Sequence, residues 1–211
     1  MKYQRKNTGG FSIIELLIVI AITILIITIV IISHSRFRGS VLVTNAAYDT
    51  ALSIRQAQSY GISSRQFGTG QFEYAYGIHF NASSKSSFVL FADVNGNGKY
   101  DGSVGSSCSG SSECVKVFSL IGDNTLSVCG VDVIASLPTR INECDISYLD
   151  IMFKRPEPDA CIRSNRSSDL PGSGVTCPLN SRYRQATVEV SSTQGMKKTV
   201  EIFVTGQISV K

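Results

Sequence analysis

One stretch decides the fold of this chain: residues 11–32 read FSIIELLIVIAITILIITIVII. The only residues in it that are not apolar are Ser12, Glu15, Thr23 and Thr28. An α-helix rises about 1.5 Å per residue, so about 20 apolar residues cross the hydrocarbon core of a bilayer. A cleavable secretory signal has a shorter apolar core, of about 7–15 residues, and a small-residue cleavage site behind it. This stretch is longer and is followed by no such site, so it predicts a retained membrane anchor.

The rest of the 211-residue chain differs in composition from this stretch. Over the whole sequence 43% of the residues are hydrophobic and 17% are charged, whereas soluble domains average about 25% charged residues. Residues 11–32 account for this apolar excess. The remaining length suits one folded domain and excludes two large enzyme domains.

An ordered motif surrounds the start of the apolar stretch. Residues 1–10 form a short basic leader that ends in Gly10, and Phe11 and then Glu15 follow it. An ionisable side chain within a membrane helix is costly and is a functional candidate by default. This order of leader, glycine, phenylalanine, glutamate and apolar helix resembles the processing site of the type IV prepilin superfamily.

The resemblance implies a role for each of these residues. A prepilin peptidase on the cytoplasmic face would cleave between Gly10 and Phe11, and the new amine of Phe11 would be methylated. Glu15 would pair with the terminal amine of a neighbouring subunit during assembly, because opposite charges attract strongly in a medium of low dielectric. The alternative is a glutamate that only snorkels to the lipid headgroups.

The charges that flank the span and the positions of the cysteines indicate which end of the chain lies in the cytoplasm. The basic residues are Lys2, Arg5 and Lys6 before the span and Arg36 and Arg38 after it, a weak bias toward a cytoplasmic N-terminus. All the cysteines follow the span: Cys108, Cys114, Cys129, Cys144, Cys161 and Cys177. Their even number suits disulfides in an oxidising compartment. Reduced, buried cysteines are the alternative, and zinc is disfavoured because the chain has no CxxC motif.

Pairing each cysteine with its nearest neighbour predicts three bridges. The predicted pairs are Cys108 with Cys114, Cys129 with Cys144, and Cys161 with Cys177. Six cysteines allow 15 pairings, so the other connectivities stay open.

Beyond the span the helix is predicted to continue over residues 33–60. Gly39 is the only glycine there and no proline precedes Pro138, so nothing breaks the helix, and Gly61 is predicted to cap it. Residues 61–211 read as one β-rich globular domain. The architecture is therefore α+β and pilin-like, with a long N-terminal helix packed on a mostly antiparallel sheet. The predicted strands are 73–80, 87–92, 115–120, 146–153, 186–190 and 198–204.

A second motif, DVNGNGKYD at residues 93–101, follows a predicted strand. Oxygen-bearing side chains at alternate positions, with Gly98 sixth, match the start of a calcium loop of the EF-hand kind. The candidate ligands are Asp93, Asn95, Asn97, Lys99 through its carbonyl, and Asp101. The twelfth position is Val104, where such loops use a bidentate glutamate. The alternative is a β-hairpin turn at the two Asn-Gly pairs, which needs no ion.

A looser resemblance points to the H-type minor pseudopilin and FimT group. It rests on the predicted helix bearing residues 51–57, on the Asn-Gly-rich turn after the strand at 87–92 and on the C-terminal segment at 204–210. Some members of that group bind DNA through a Gly-Arg loop, but here Gly206 is followed by Gln207. The formal net charge of +4 comes mostly from the leader. Nucleic acid is therefore not an expected partner, although Arg182, Arg184, Lys197 and Lys198 form a candidate basic patch.

The leading function is a structural one: a pilin or minor pseudopilin of a type IV pilus or type II secretion pseudopilus. Its partners would be other pilin subunits, the prepilin peptidase and the inner-membrane assembly platform. It would span the bacterial cytoplasmic membrane, with its C-terminal domain outside, before joining an extracellular or periplasmic fibre. The alternative is a fibre-borne binding module for adhesion or DNA uptake. An enzyme is not expected, because no known nucleophile or phosphate-binding motif is present, and calcium is the only candidate cofactor.

Overall fold

The computed structural model describes residues 10–63, 65–68, 73–102, 107–108, 112–133, 140–166 and 183–211. Within these residues the chain has an α+β architecture, with one helix followed by ten strands in two antiparallel sheets. The α+β class, the apolar N-terminal helix and the antiparallel pairing agree with the prediction. The chain divides into two compact units, Met1–Gly39 and Ser40–Lys211.

Helix α1 (Ile13–Ile62) begins in the first unit and runs on into the second. Its apolar residues from Ile13 to Ile32 are exposed, and this segment is long and apolar enough to cross a membrane. A segment of this kind near an N-terminus acts as a membrane span or as a signal sequence.

The first sheet has the strand order β3-β2-β1-β6-β7 and the second has the order β10-β9-β8-β4-β5. Four of these strands were not predicted, namely β4, β5, β7 and β10. The strands are β1 (Ala75–Asn81), β2 (Ser87–Asp93), β3 (Cys114–Ser119), β4 (Thr125–Val133), β5 (Arg140–Glu143), β6 (Tyr148–Phe153), β7 (Ala160–Ser164), β8 (Gln185–Ser191), β9 (Lys197–Phe203) and β10 (Ile208–Val210).

Both sheets share one hydrophobic core with the part of α1 that lies in the second unit. Ile54 of α1 is buried together with Ile78 and Leu90 of the first sheet and Val188 and Ile202 of the second. Alanines contribute much of the buried face of the helix, and their small side chains let it approach the strands closely. These alanines are Ala46, Ala47, Ala51 and Ala57.

The predicted role of Gly61 as a helix cap is wrong. Gly61 lies inside α1 and does not adopt the left-handed conformation of a capping glycine. A Cβ at Gly61 would lie 2.3 Å from the backbone oxygen of Phe153 in β6. Glycine is therefore needed because the helix end touches a strand backbone, and the carbonyl of Gly61 accepts a hydrogen bond from Arg155 N–H at 3.1 Å.

Candidate functional site

The predicted processing residues lie at the start of the first unit. Gly10 and Phe11 precede α1, and the side chain of Phe11 is 87% exposed. Ser12 starts the helical hydrogen bonding, because its carbonyl accepts from the N–H groups of Glu15 and Leu16 at 3.1 and 3.2 Å. The leader before Gly10 lies outside the described residues.

Glu15 lies exposed in the first turn of α1. It is the only charged residue between Ile13 and Ile32. A negative side chain is favoured at this end of a helix, where the first backbone N–H groups point outward. The carboxylate thus lies beside the predicted cleavage point, at the edge of an exposed apolar surface.

The predicted calcium loop lies between β2 and β3. These strands pair antiparallel, but the chain between them covers residues 94–113, so the Asn-Gly pairs do not close a two-residue hairpin. The tight hairpin is therefore absent, and a loop that needs no ion stays the alternative to a calcium site. Gly96 and Gly98 have φ values of +72° and +77°, a left-handed conformation that favours glycine. Val104, at the twelfth position, lies outside the described residues.

Asp93 ends β2 at the base of this loop and is only 5% exposed. Its Oδ2 accepts a hydrogen bond from the N–H of Gly98 at 3.0 Å. Its Oδ1 is buried and has no hydrogen-bond partner in the described part of the chain. Burial raises the pKa of Asp93, and the backbone N–H groups of Gly98, Gly96 and Asn97 only partly oppose this.

The side chains at the tip of the loop bind one another. The Oδ1 atoms of Asn95 and Asn97 accept backbone N–H groups of Asn97 and Lys99 at 3.0 and 2.9 Å. Asp101 Oδ2 accepts the Nδ2–H groups of Asn95, at 2.7 Å, and of Asn97. Asp101 Oδ1 lies 3.0 Å from the ammonium of Lys99. Burial raises the pKa of Asp101, but the hydrogen bonds from Asn95, Lys99 and Asn97 outweigh this and leave it lowered.

Glu113 also reaches the loop, although the sequence did not point to it. It directly precedes β3 and is 3% exposed, and its Oε2 accepts the backbone N–H of Asp101 at 3.0 Å. Burial raises the pKa of Glu113, and the negative charges of Asp101 and Asp93 add to this shift. The sequence feature that could have pointed to Glu113 is its place directly before the cysteine that starts the following strand.

The loop thus gathers oxygen atoms from carboxylates and side-chain amides. No group of three or more His, Cys, Asp or Glu side chains able to hold a metal occurs among the residues that the structure describes. A cation here would therefore need amide and carbonyl oxygens as well as the carboxylates.

A buried His79–Asp150 pair lies close to the loop. These residues face each other on β1 and β6, with His79 Nδ1 only 2.6 Å from Asp150 Oδ1. The ring of Tyr100, a loop residue, contacts the ring of His79 at a centroid distance of 5.0 Å. Burial raises the pKa of Asp150, and hydrogen bonds from His79 and the Tyr100 backbone oppose it. Both side chains of the pair are buried, and the contact with Tyr100 connects them to the loop.

Disulfide bonds join two of the predicted cysteine pairs. Cys108 is bonded to Cys114 beside the loop, and Cys129 is bonded to Cys144 in the second sheet region. Cys161 is also disulfide-bonded, and Cys177 lies outside the described residues.

The candidate basic patch is partly neutralised. Lys197 Nζ lies 2.8 Å from Glu189 Oε1, while Arg184 is exposed. Arg182 lies outside the described residues. The described part of the patch therefore offers little clustered charge to a nucleic-acid backbone.

Comparison of the chain with protein-family models, with curated proteins and with solved structures finds no significant match.

Proposed function

We propose that this chain is a structural subunit, a pilin or minor pseudopilin, of a type IV pilus or of a type II secretion pseudopilus. One observation carries the proposal: the exposed apolar segment Ile13–Ile32 of α1 follows Gly10 and Phe11 and has Glu15 as its single charged residue. Exposing an apolar surface of this extent to water is strongly unfavourable. Lipid would cover it before assembly, and the helices of neighbouring subunits would cover it in the fibre.

Cleavage after Gly10 would create the partner for Glu15. The new amine of Phe11 carries a positive charge, also when it is methylated, and lies next to an apolar helix surface. A carboxylate and an amine are each costly when left alone in such surroundings, and their mutual attraction is strong. Pairing of Glu15 with a neighbour's Phe11 amine would therefore fix the axial offset between adjacent helices.

The second unit offers a further surface for packing. Val41, Tyr48 and Leu52 are exposed on α1, and their spacing places them along one side of the helix. Exposed apolar side chains in a row are typical of a contact with another protein. They would extend the subunit contacts beyond the apolar span.

The proposed location is the bacterial cytoplasmic membrane, with the N-terminus in the cytoplasm and the C-terminal domain outside. The fibre would then lie in the periplasm or outside the cell. The Cys108–Cys114 and Cys129–Cys144 bridges support this orientation, because disulfides persist in oxidising compartments.

The test compares wild-type chain with Glu15→Ala in cells that assemble the fibre. Mass spectrometry of the wild-type chain should find methylated Phe11 at the mature N-terminus. Glu15→Ala should be cleaved at the same bond but should reduce the chain in sheared fibres about tenfold or more, because the pairing charge is lost. Ser12→Ala, on the same turn, is the control and should assemble normally.

Two results would contradict the proposal. An intact Met1 on chain recovered from membranes would show that the leader is not removed. Normal amounts of fibre from the Glu15→Ala strain would show that the glutamate does not direct assembly.

A further inference from the structure

We propose that the loop between β2 and β3 is a calcium site that Glu113 completes. The proposal concerns the second unit alone and does not depend on the fibre function.

The first support is the buried carboxylate of Asp93. The N–H of Gly98 occupies its Oδ2, while its Oδ1 is buried without a hydrogen-bond partner among the described residues. Buried polar atoms in folded proteins are almost always satisfied, and an unsatisfied carboxylate oxygen is costly. Asp93 is the first residue of the calcium-loop pattern, which is the position that places one carboxylate oxygen on the ion. A bound cation would satisfy Oδ1.

The second support is the position of Glu113. The loop pattern requires an acidic ligand at its end, and the residue at the usual twelfth position is Val104. Glu113 is buried at the end of the same loop, with its Oε2 bound to the N–H of Asp101. The negative charge of Asp93 also raises the pKa of Glu113, so the two carboxylates lie within range of mutual repulsion. Two carboxylates buried near each other repel, and a divalent cation between them removes the repulsion. Glu113 therefore supplies the acidic ligand that Val104 cannot supply.

The other donors favour calcium over other metals. Asn95 and Asn97 offer amide oxygens, and Lys99 offers a carbonyl oxygen. An amide oxygen has two lone pairs, so it can accept a backbone N–H and also face a cation. Calcium takes six to eight oxygen ligands in a flexible geometry, whereas magnesium requires a strict octahedron and retains its waters. The set contains neither sulfur nor imidazole, which zinc and copper prefer.

The test uses the full chain in detergent micelles, freed of metal with a chelator. Titration with CaCl2 should release or absorb heat with saturation at one site, and saturating calcium should raise the unfolding temperature by about 5 °C or more. Magnesium at equal concentration should have a smaller effect. Glu113→Gln should weaken calcium binding about tenfold or more, since affinity follows the number of charged ligands. Glu157→Gln, an exposed residue outside the loop, is the matched control and should bind as wild type does.

Several outcomes would overturn the proposal. They are the absence of both heat and a temperature shift in the wild-type chain, an equal response to magnesium, and unchanged calcium affinity in Glu113→Gln. If Glu113→Gln does not fold, Asn95→Ala at the exposed loop tip provides a second variant. Its calcium affinity should also fall, and an affinity equal to that of the wild-type chain would remove the loop as the site.

Discussion

The buried pair of His79 and Asp150 contacts the loop between β2 and β3 through Tyr100 and helps to hold that loop in place. Asp150 is fully buried, and its carboxylate takes hydrogen bonds from the imidazole of His79 and from the Tyr100 backbone. Arg163 also donates to the carbonyl of Asn97 at 3.1 Å. The face of the first sheet thus holds the loop at two points, through side chains of β1, β6 and β7.

The charge of Asp150 should make folding stability depend on pH. Burial raises its pKa in the folded chain above the unfolded value of about 3.9, so the folded state binds this proton more tightly. The resulting contribution to stability is complete below the unfolded pKa and is lost as the pH rises through the folded pKa. Asp150→Asn cannot lose a proton, and its stability should fall less than that of wild type between about pH 4 and pH 7.

Denaturant unfolding across this pH range, with chelator present throughout, measures the effect. Asp145→Asn is the control, because Asp145 is exposed and pairs only at the surface with Arg166 at 3.3 Å. Its pH dependence should follow that of wild type. Parallel curves for wild type and Asp150→Asn would contradict the assignment.

At the scale of the element, α1 carries two apolar stripes beyond the span, and only one of them faces the core. The structure buries the stripe with Ala47, Ala51 and Ile54 and exposes the one with Val41, Tyr48 and Leu52. The exposed stripe contains the larger side chains, which is the reverse of what the hydrophobic pattern of a lone globular domain predicts.

A pair of truncations should separate the two stripes. Ile54 is 0% exposed, so Ile54→Ala removes apolar burial and leaves a cavity, with an expected loss of about 2–5 kcal/mol in the free energy of unfolding. Leu52 is 60% exposed, and Leu52→Ala should change that free energy by less than about 0.5 kcal/mol. Chemical unfolding of both variants checks the prediction. Equal losses would show that both sides of the helix are buried.

At the scale of the whole molecule, disulfide bonds add covalent links to the hydrogen bonds of the sheets. The Cys108–Cys114 bridge joins the end of the candidate calcium loop to the first residue of β3. The Cys129–Cys144 bridge ties β4 to the chain that leaves β5. A crosslink lowers the conformational entropy of the unfolded chain and thereby favours the folded one.

Peptide mapping without reduction should find three bridges and no free thiol. Cys161 with Cys177 is the predicted third bridge. Replacing Cys129 and Cys144 together by serine should lower the free energy of unfolding by about 2–4 kcal/mol, because the closed loop between them is lost. Reduced wild-type chain should lose at least as much. Six alkylatable thiols in the native chain would contradict the prediction.

The strands that the sequence did not reveal lack a strong local signal. Three of them, β5, β7 and β10, are short and lie at sheet edges, and β4 contains Gly130. A short edge strand is defined by its hydrogen bonds to a neighbour more than by its own propensity. The longer strands with β-branched and aromatic residues, such as β1, β2 and β9, lay within a few residues of their predicted positions.

The sequence by itself determined the features that depend on neighbouring residues. Length and apolarity set the exposed helix from Ile13 to Ile32, and the spacing of Gly96 and Gly98 set the turns of the loop. The tertiary structure alone decided which distant groups meet. It brought Glu113 to the loop of Asp93, placed His79 against Asp150 and put Gly61 on a strand backbone. Those contacts follow from strand register and packing, which bring together residues far apart in the chain. Such contacts leave no periodic pattern in the sequence.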